Sequence, residues 1–105
     1  MIPYVNILGN EYSIFWYQKE IPSCDDEWGQ CQKDERIISI RIHRDPVFTL
    51  DTLLHEIMHA IWYEYQMNED GEAEEAVVGK LSSGMVKVLA ANPELVKFIK
   101  RSLHG

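Results

Sequence analysis

Leu50-Asp51-Thr52-Leu53-Leu54-His55-Glu56-Ile57-Met58-His59-Ala60-Ile61-Trp62 decides how this chain is read. Before it, apolar residues alternate. Within it they return every three or four positions, so the period changes from strand to helix after Arg44. Leu50, Leu54, Ile57, Ile61 and Tyr65 trace one stripe, widened by Leu53 and Met58. His55 and His59 fall on the other half, beside Thr52, Glu56, Tyr63 and Gln66. Two imidazoles one turn apart share a face and can grip one metal ion, while the adjacent Glu56 points to the neighbouring flank. Histidines inside the apolar stripe would read as core residues. These two lie away from it, which leaves a chance pair of surface histidines as the bland alternative.

The elements around this helix follow from the same periodicities. Tyr4-Val5-Asn6-Ile7-Leu8 and Tyr12 to Tyr17, joined at Gly9-Asn10, predict a hairpin. Pro22 to Gly29 reads as loop. Ile37 to Ile42 is a half-buried strand with Ile38, Ile40 and Ile42 inward, paired with Gln30-Cys31-Gln32 across a turn near Lys33-Asp34-Glu35. Asp45-Pro46 starts the first helix, with Thr49 or Asp51 as other caps, and Asp70-Gly71 breaks it. A second helix runs from about Glu72 to Ala91 with Val77, Val78, Leu81, Met85, Val88 and Leu89 inward. Asn92-Pro93-Glu94 then restarts a short third helix carrying Leu95, Phe98, Ile99 and Leu103. Strands first and helices second predict an α+β fold, a single domain over residues 1–105. In it a small antiparallel sheet from the N-terminal third is packed by the first helix, an antiparallel second helix and a short C-terminal helix.

A chain of 105 residues builds one small core, and 46% hydrophobic with 26% charged residues is ordinary globular composition. A net charge of −7 argues against nucleic acid and against an anionic membrane surface as partners. Met1-Ile2-Pro3-Tyr4 lacks the charged start and apolar run of a signal peptide, and no apolar stretch is long enough to span a bilayer, so a cytoplasmic location is expected. Cys24 and Cys31 are then expected as free thiols.

A catalytic zinc site takes three protein ligands and leaves a fourth position for water. His55 and His59 supply two, so the third comes from another element. The acidic run Glu69-Asp70-Gly71-Glu72-Ala73-Glu74-Glu75 opens the second helix; part of it serves the helix N-terminus, and a short turn would bring one of its glutamates to the histidines. Periodicity does not single out which. The inward stripe of the second helix centres nearer Glu74 than Glu75. Two imidazoles and a carboxylate suit Zn²⁺ best. Tyr63 shares the histidine arc and is a weak oxyanion donor, more simply an interfacial helix tyrosine. Trp16, Trp28 and Trp62 read as core, with Trp28 able to mark a contact.

The H-E-x-x-H of His55 to His59, followed about fifteen residues later by a helix bearing glutamate, resembles the glutamate-zincins. Leu53 to Trp62, Glu74-Glu75-Ala76-Val77-Val78 with Leu81, and Asn92-Pro93-Glu94-Leu95 are more closely similar to small phage-encoded metallopeptidases. The likeness runs from about Tyr12 to Ile99. In the related ImmA/IrrE-type peptidases the ligand glutamate precedes small residues three, four and seven positions on and an apolar one at six. Glu75 puts Val78, Gly79, Leu81 and Ser82 there; Glu74 would put bulky Val78 and Leu81 at the fourth and seventh positions and Lys80 at the sixth. The resemblance thus implies a minimal zincin-like domain with Zn²⁺ on His55, His59 and Glu75. It further implies hydrolysis of a protein or peptide substrate by a metal-activated water, with Glu56 as general base, and an extended substrate received on a strand beside the helix. A non-catalytic zinc-binding module that acts on a phage or host partner is the competing expectation.

Overall fold

A computed structural model of the chain describes residues 1–22, 27–65 and 74–104, the side chains of residues 74–76, 78 and 79 excepted. Strands β1 (Tyr4–Ile7) and β2 (Asn10–Tyr17) form the expected hairpin, with Ile7 opposite Asn10. The turn falls on Leu8 and Gly9, one residue earlier than the sequence pattern places it. Both have positive φ, 52° and 89°, as the tight hairpin turn matching strand twist demands. Leu8 tolerates this left-handed conformation because its side chain packs against the core.

β3 (Gly29–Gln32) and β4 (Ile37–Arg41) form a second hairpin, and the sheet order is β1-β2-β4-β3. The antiparallel expectation holds for β1–β2 and β3–β4, but β4 pairs parallel with β2, from Ser13 opposite Ile37 to Tyr17 opposite Arg41. The sheet is therefore mixed. The physical reason lies in the composition of the second hairpin. Ile38 and Ile40 of β4 are fully buried and claim the centre, whereas Gly29, Gln30, Cys31 and Gln32 suit an edge. Seating β4 inside the hairpin aligns it with β2.

Helix α1 (Pro46–Glu64) begins where Asp45 caps it, Oδ1 accepting from the Val47 amide at 3.0 Å, with Pro46 in the first helical turn. Thr49 is not a cap. It is buried and ties the helix to the preceding chain, accepting from the His43 amide and donating to the His43 carbonyl. Leu50, Leu53, Ile57, Ala60 and Ile61 of α1 meet Val5, Ile7, Tyr12, Ile14, Ile38 and Ile40 of the sheet in one core, which Val88, Leu95 and Phe98 complete from helices α2 (Glu74–Ala91) and α3 (Pro93–His104). Leu54 is only partly buried and Met58 is 39% exposed, so the apolar stripe is narrower there than its periodicity implies.

α2 crosses α1 near Ile61. Leu81 borders one cavity with Met58 and Trp62, Gly84 packs on Ile61 and Tyr65, and Lys87 reaches the Tyr65 ring and hydroxyl. A Cβ on Gly84 would lie 2.5 Å from Ile61 Cγ2, so only glycine admits this approach. Asn92 stands at the start of α3, where its backbone carbonyl accepts from the Leu95 and Val96 amides, but its side chain does not cap that helix. Its amide side chain accepts from the Asn6 amide and donates to the Asn6 and Val88 carbonyls, pairing with edge strand β1 as another strand would.

The last turn of α1 is fixed by Glu64. Its side chain, 8% exposed, accepts hydrogen bonds from Asn10 Nδ2 at 2.9 Å, Tyr12 Oη at 2.6 Å and Arg36 Nε at 3.0 Å. Burial works against its charge, but Arg36 and Tyr12 outweigh burial and hold the carboxyl below the usual range. Because the folded-state value is depressed, the stabilisation is complete above the unfolded carboxyl's value and is lost as pH falls through the folded one. Glu64→Gln should cost about 1–3 kcal/mol at neutral pH in urea unfolding. The gap to wild type should narrow as pH falls below the ordinary carboxyl value of about 4.3, and close only once pH has passed the depressed folded-state value.

Candidate metal centre and groove

α1 lies so close to β3 that a Cβ on Gly29 would stand 2.7 Å from Thr52 Cγ2 and 2.9 Å from Glu56 Oε2. This contact sets the site. It tucks Glu56 to 7% exposure between helix and edge strand, while His55 and His59 stay exposed on the flank above. The sequence grouping of Glu56 with the two histidines is therefore right for position along the helix but not for depth.

The imidazoles converge. His55 Nε2 and His59 Nε2 are 3.2 Å apart, with the rings nearly perpendicular at 79°. Two nitrogens bound to one tetrahedral zinc at about 2.0–2.1 Å stand roughly 3.3–3.4 Å from each other, so the pair fits a single ion with little movement. In neutral rings the same distance lets one imidazole donate to the other. Desolvation, the neighbouring His55 and then Lys33 hold His59 below the ordinary histidine value, which favours the neutral, ligating form. No hydrogen bond from either Nδ1 is present among the described residues. Thr52, which shares their arc of the helix, donates its hydroxyl to the Phe48 carbonyl.

Burial pushes the Glu56 carboxyl up; the His55 charge opposes this and Glu27 adds to it. Glu56 and both histidines border a cavity of about 630 Å³ together with Trp28, Gly29, Gln30, Cys31, Lys33 and Asp51. On the other side of the histidines lies a second cavity of about 440 Å³, walled by Met58, Trp62 and Leu81. Together they make a groove that passes over the pair, with edge strand β3 along one side.

Glu75 lies in the first turn of α2, its side chain outside the described residues, as is that of Glu74. Among the described residues no three His, Cys, Asp or Glu side chains converge as a metal site. Cys31 is a free thiol whose burial, followed by the charge of Glu56, pushes it up to about 11, leaving it protonated at neutral pH. Cys24 lies outside the described residues.

Tyr63 turns its hydroxyl to Asp34 Oδ1 at 3.3 Å, toward the β3–β4 turn and not into the groove. Trp28 is half-buried, its ring beneath Arg41 at 4.4 Å and edge-on to His43 and Phe48. It also lines the larger cavity. Lys33, which the sequence offers only as a turn residue, borders both cavities. The histidine arc names its helical neighbours alone; a lysine brought in by a strand from another part of the chain leaves no periodic signal.

Comparison of the chain with family models, with curated proteins and with solved structures gives no match in any of the three. Among the described residues no helix is long and apolar enough to cross a membrane.

Gly29→Ala should destabilise the fold by about 1–3 kcal/mol in urea unfolding, because Glu56 and Thr52 must both shift to admit a methyl group. An unchanged midpoint would mean that β3 can retreat from α1 without cost.

Proposed function

We propose that this chain is a zinc-dependent peptidase in which His55, His59 and Glu75 hold the metal and Glu56 is the general base. The observation that carries this reading is the 3.2 Å convergence of the two Nε2 atoms at the centre of a groove whose wall holds the Glu56 carboxylate. A purely structural metal site has no use for an acid there. Zinc bound there would lower the pKa of water toward ~7 and polarise a substrate carbonyl. The chain's own residues do the rest. Glu56 accepts a proton from the attacking water and delivers it to the leaving amine. Its burial against Gly29 suits the task, since a poorly solvated carboxylate is a stronger base.

Glu75, in the first turn of α2, supplies the carboxylate that two imidazoles leave wanting in a three-ligand zinc site. For the substrate, β3 offers an edge strand beside the groove, so an extended segment of protein or peptide can add to it by main-chain hydrogen bonds. The acidic chain does not suit nucleic acid or an anionic membrane. A cytoplasmic setting, that of the host cell for a phage-encoded protein, accords with the free Cys31 thiol.

Metal analysis of purified protein should give one zinc per chain, lost in His59→Ala. Glu56→Gln should keep the zinc while cleavage of an unfolded protein substrate falls by 10²–10⁴-fold. No cleavage in either protein would leave a zinc-binding interaction module instead, and equal cleavage in both would remove Glu56 as the base. Glu75→Gln should weaken zinc binding by at least 10-fold in chelator competition while Glu74→Gln leaves it nearly intact, since only the former removes a ligand.

A further inference from the structure

Three residues line both cavities of the groove: His55, His59 and Lys33. Lys33 follows directly on β3 and is half-buried. A lysine in a β-turn ordinarily pairs with a neighbouring acid. Here no ion pair or hydrogen bond engages its side chain among the described residues, and the adjacent Asp34 instead accepts from Tyr63. Its charge is nonetheless felt at the site, where it bears on both His59 and Cys31.

Lys33 is also the one lysine or arginine lining either cavity among the described residues, whereas Glu27, Asp51 and Glu56 all border the larger one. Acids around a groove oppose any negative charge that forms on a substrate inside it. A single cation beside the histidines offsets that opposition where a reacting carbonyl would lie, and it acts most strongly in a groove partly shielded from water.

We propose that Lys33 is a catalytic residue of this site, its ammonium hydrogen-bonding the scissile carbonyl oxygen as that oxygen becomes an oxyanion. This rests on the peptidase reading above. In the addition step the water oxygen bonds to the carbonyl carbon, the water proton passes to Glu56, and the carbonyl π pair moves onto oxygen. When the C–N bond breaks, that pair returns and the proton on Glu56 goes to the departing nitrogen. Lys33 keeps its own proton throughout and acts only as a charged donor. It fills the place that Tyr63, turned toward Asp34, does not.

The test compares zinc-loaded wild type, Lys33→Met and Lys33→Arg. Cleavage is followed on fluorescein-labelled casein, and binding is measured for an N-phosphorylated apolar dipeptide, a tetrahedral anion that mimics the oxyanion state. Lys33→Met should lower kcat on the order of 10²-fold with KM nearly unchanged, and weaken the anion by a similar factor. Zinc content and unfolding midpoint should not move, and Lys33→Arg should recover much of the loss. Cleavage and anion binding equal to wild type in Lys33→Met would overturn the role. So would a rise in KM at constant kcat, which would make Lys33 a ground-state substrate contact. Zinc-loaded wild type that cleaves nothing would remove the peptidase reading and this role together, whereas an enzyme that cleaves equally well without Lys33 removes the role alone.

Discussion

The closeness of α1 to edge strand β3 is the constraint on which the site depends. A side chain larger than hydrogen at position 29 would meet Thr52 and Glu56 below van der Waals distance, so Gly29 sets how near the strand can come. That spacing gives the H-E-x-x-H helix two environments within one turn. Glu56 is pressed against the strand and largely dehydrated, while His55 and His59 remain at the mouth of the groove with their Nε2 atoms converging. A base and a metal-binding pair need this difference, because burial raises the basicity of a carboxylate whereas ligating imidazoles must stay accessible.

The helix keeps this position because it is held at both ends by polar contacts. At its start Thr49 ties it to His43, and Asp45 caps the first turn. At its end Glu64 gathers donors from β2 and from Arg36 in the β3–β4 turn. Arg36 has a φ of 54°, a conformation that costs energy for a residue with a Cβ. Its bond to a nearly buried carboxylate offsets part of that cost. Charge in this acidic chain is thus placed with some economy: one cation anchors the helix, and another, Lys33, stands unpaired among the described residues beside the histidines.

The small sheet and three helices also solve a problem of reach. A second hairpin that seats its apolar strand inside and its polar strand outside leaves an edge next to α1. A second helix held close to α1 by Gly84 leaves an apolar cleft walled by Met58, Trp62 and Leu81 on the other side of the histidines. The groove is the space between these two features, and neither exists without the other elements that fix them. Met58, exposed where its helical position predicts burial, is part of that wall.

Period and spacing by themselves determined much: the strand-to-helix change at Asp45-Pro46, both hairpins, three helices within a few residues of their ends, and the pairing of His55 with His59 on one face. These are local properties, set by hydrogen-bonding geometry within a few residues along the chain. Tertiary structure alone decided the parallel register of β4 on β2, the depth of Glu56, the Glu64 anchor and the arrival of Lys33 at the groove. Each of these depends on which residues distant in sequence compete for the same buried space. Alternation tells which face of a strand is inward but not which neighbour it takes, and a helical stripe tells what is buried but not in which direction the next helix will cross it.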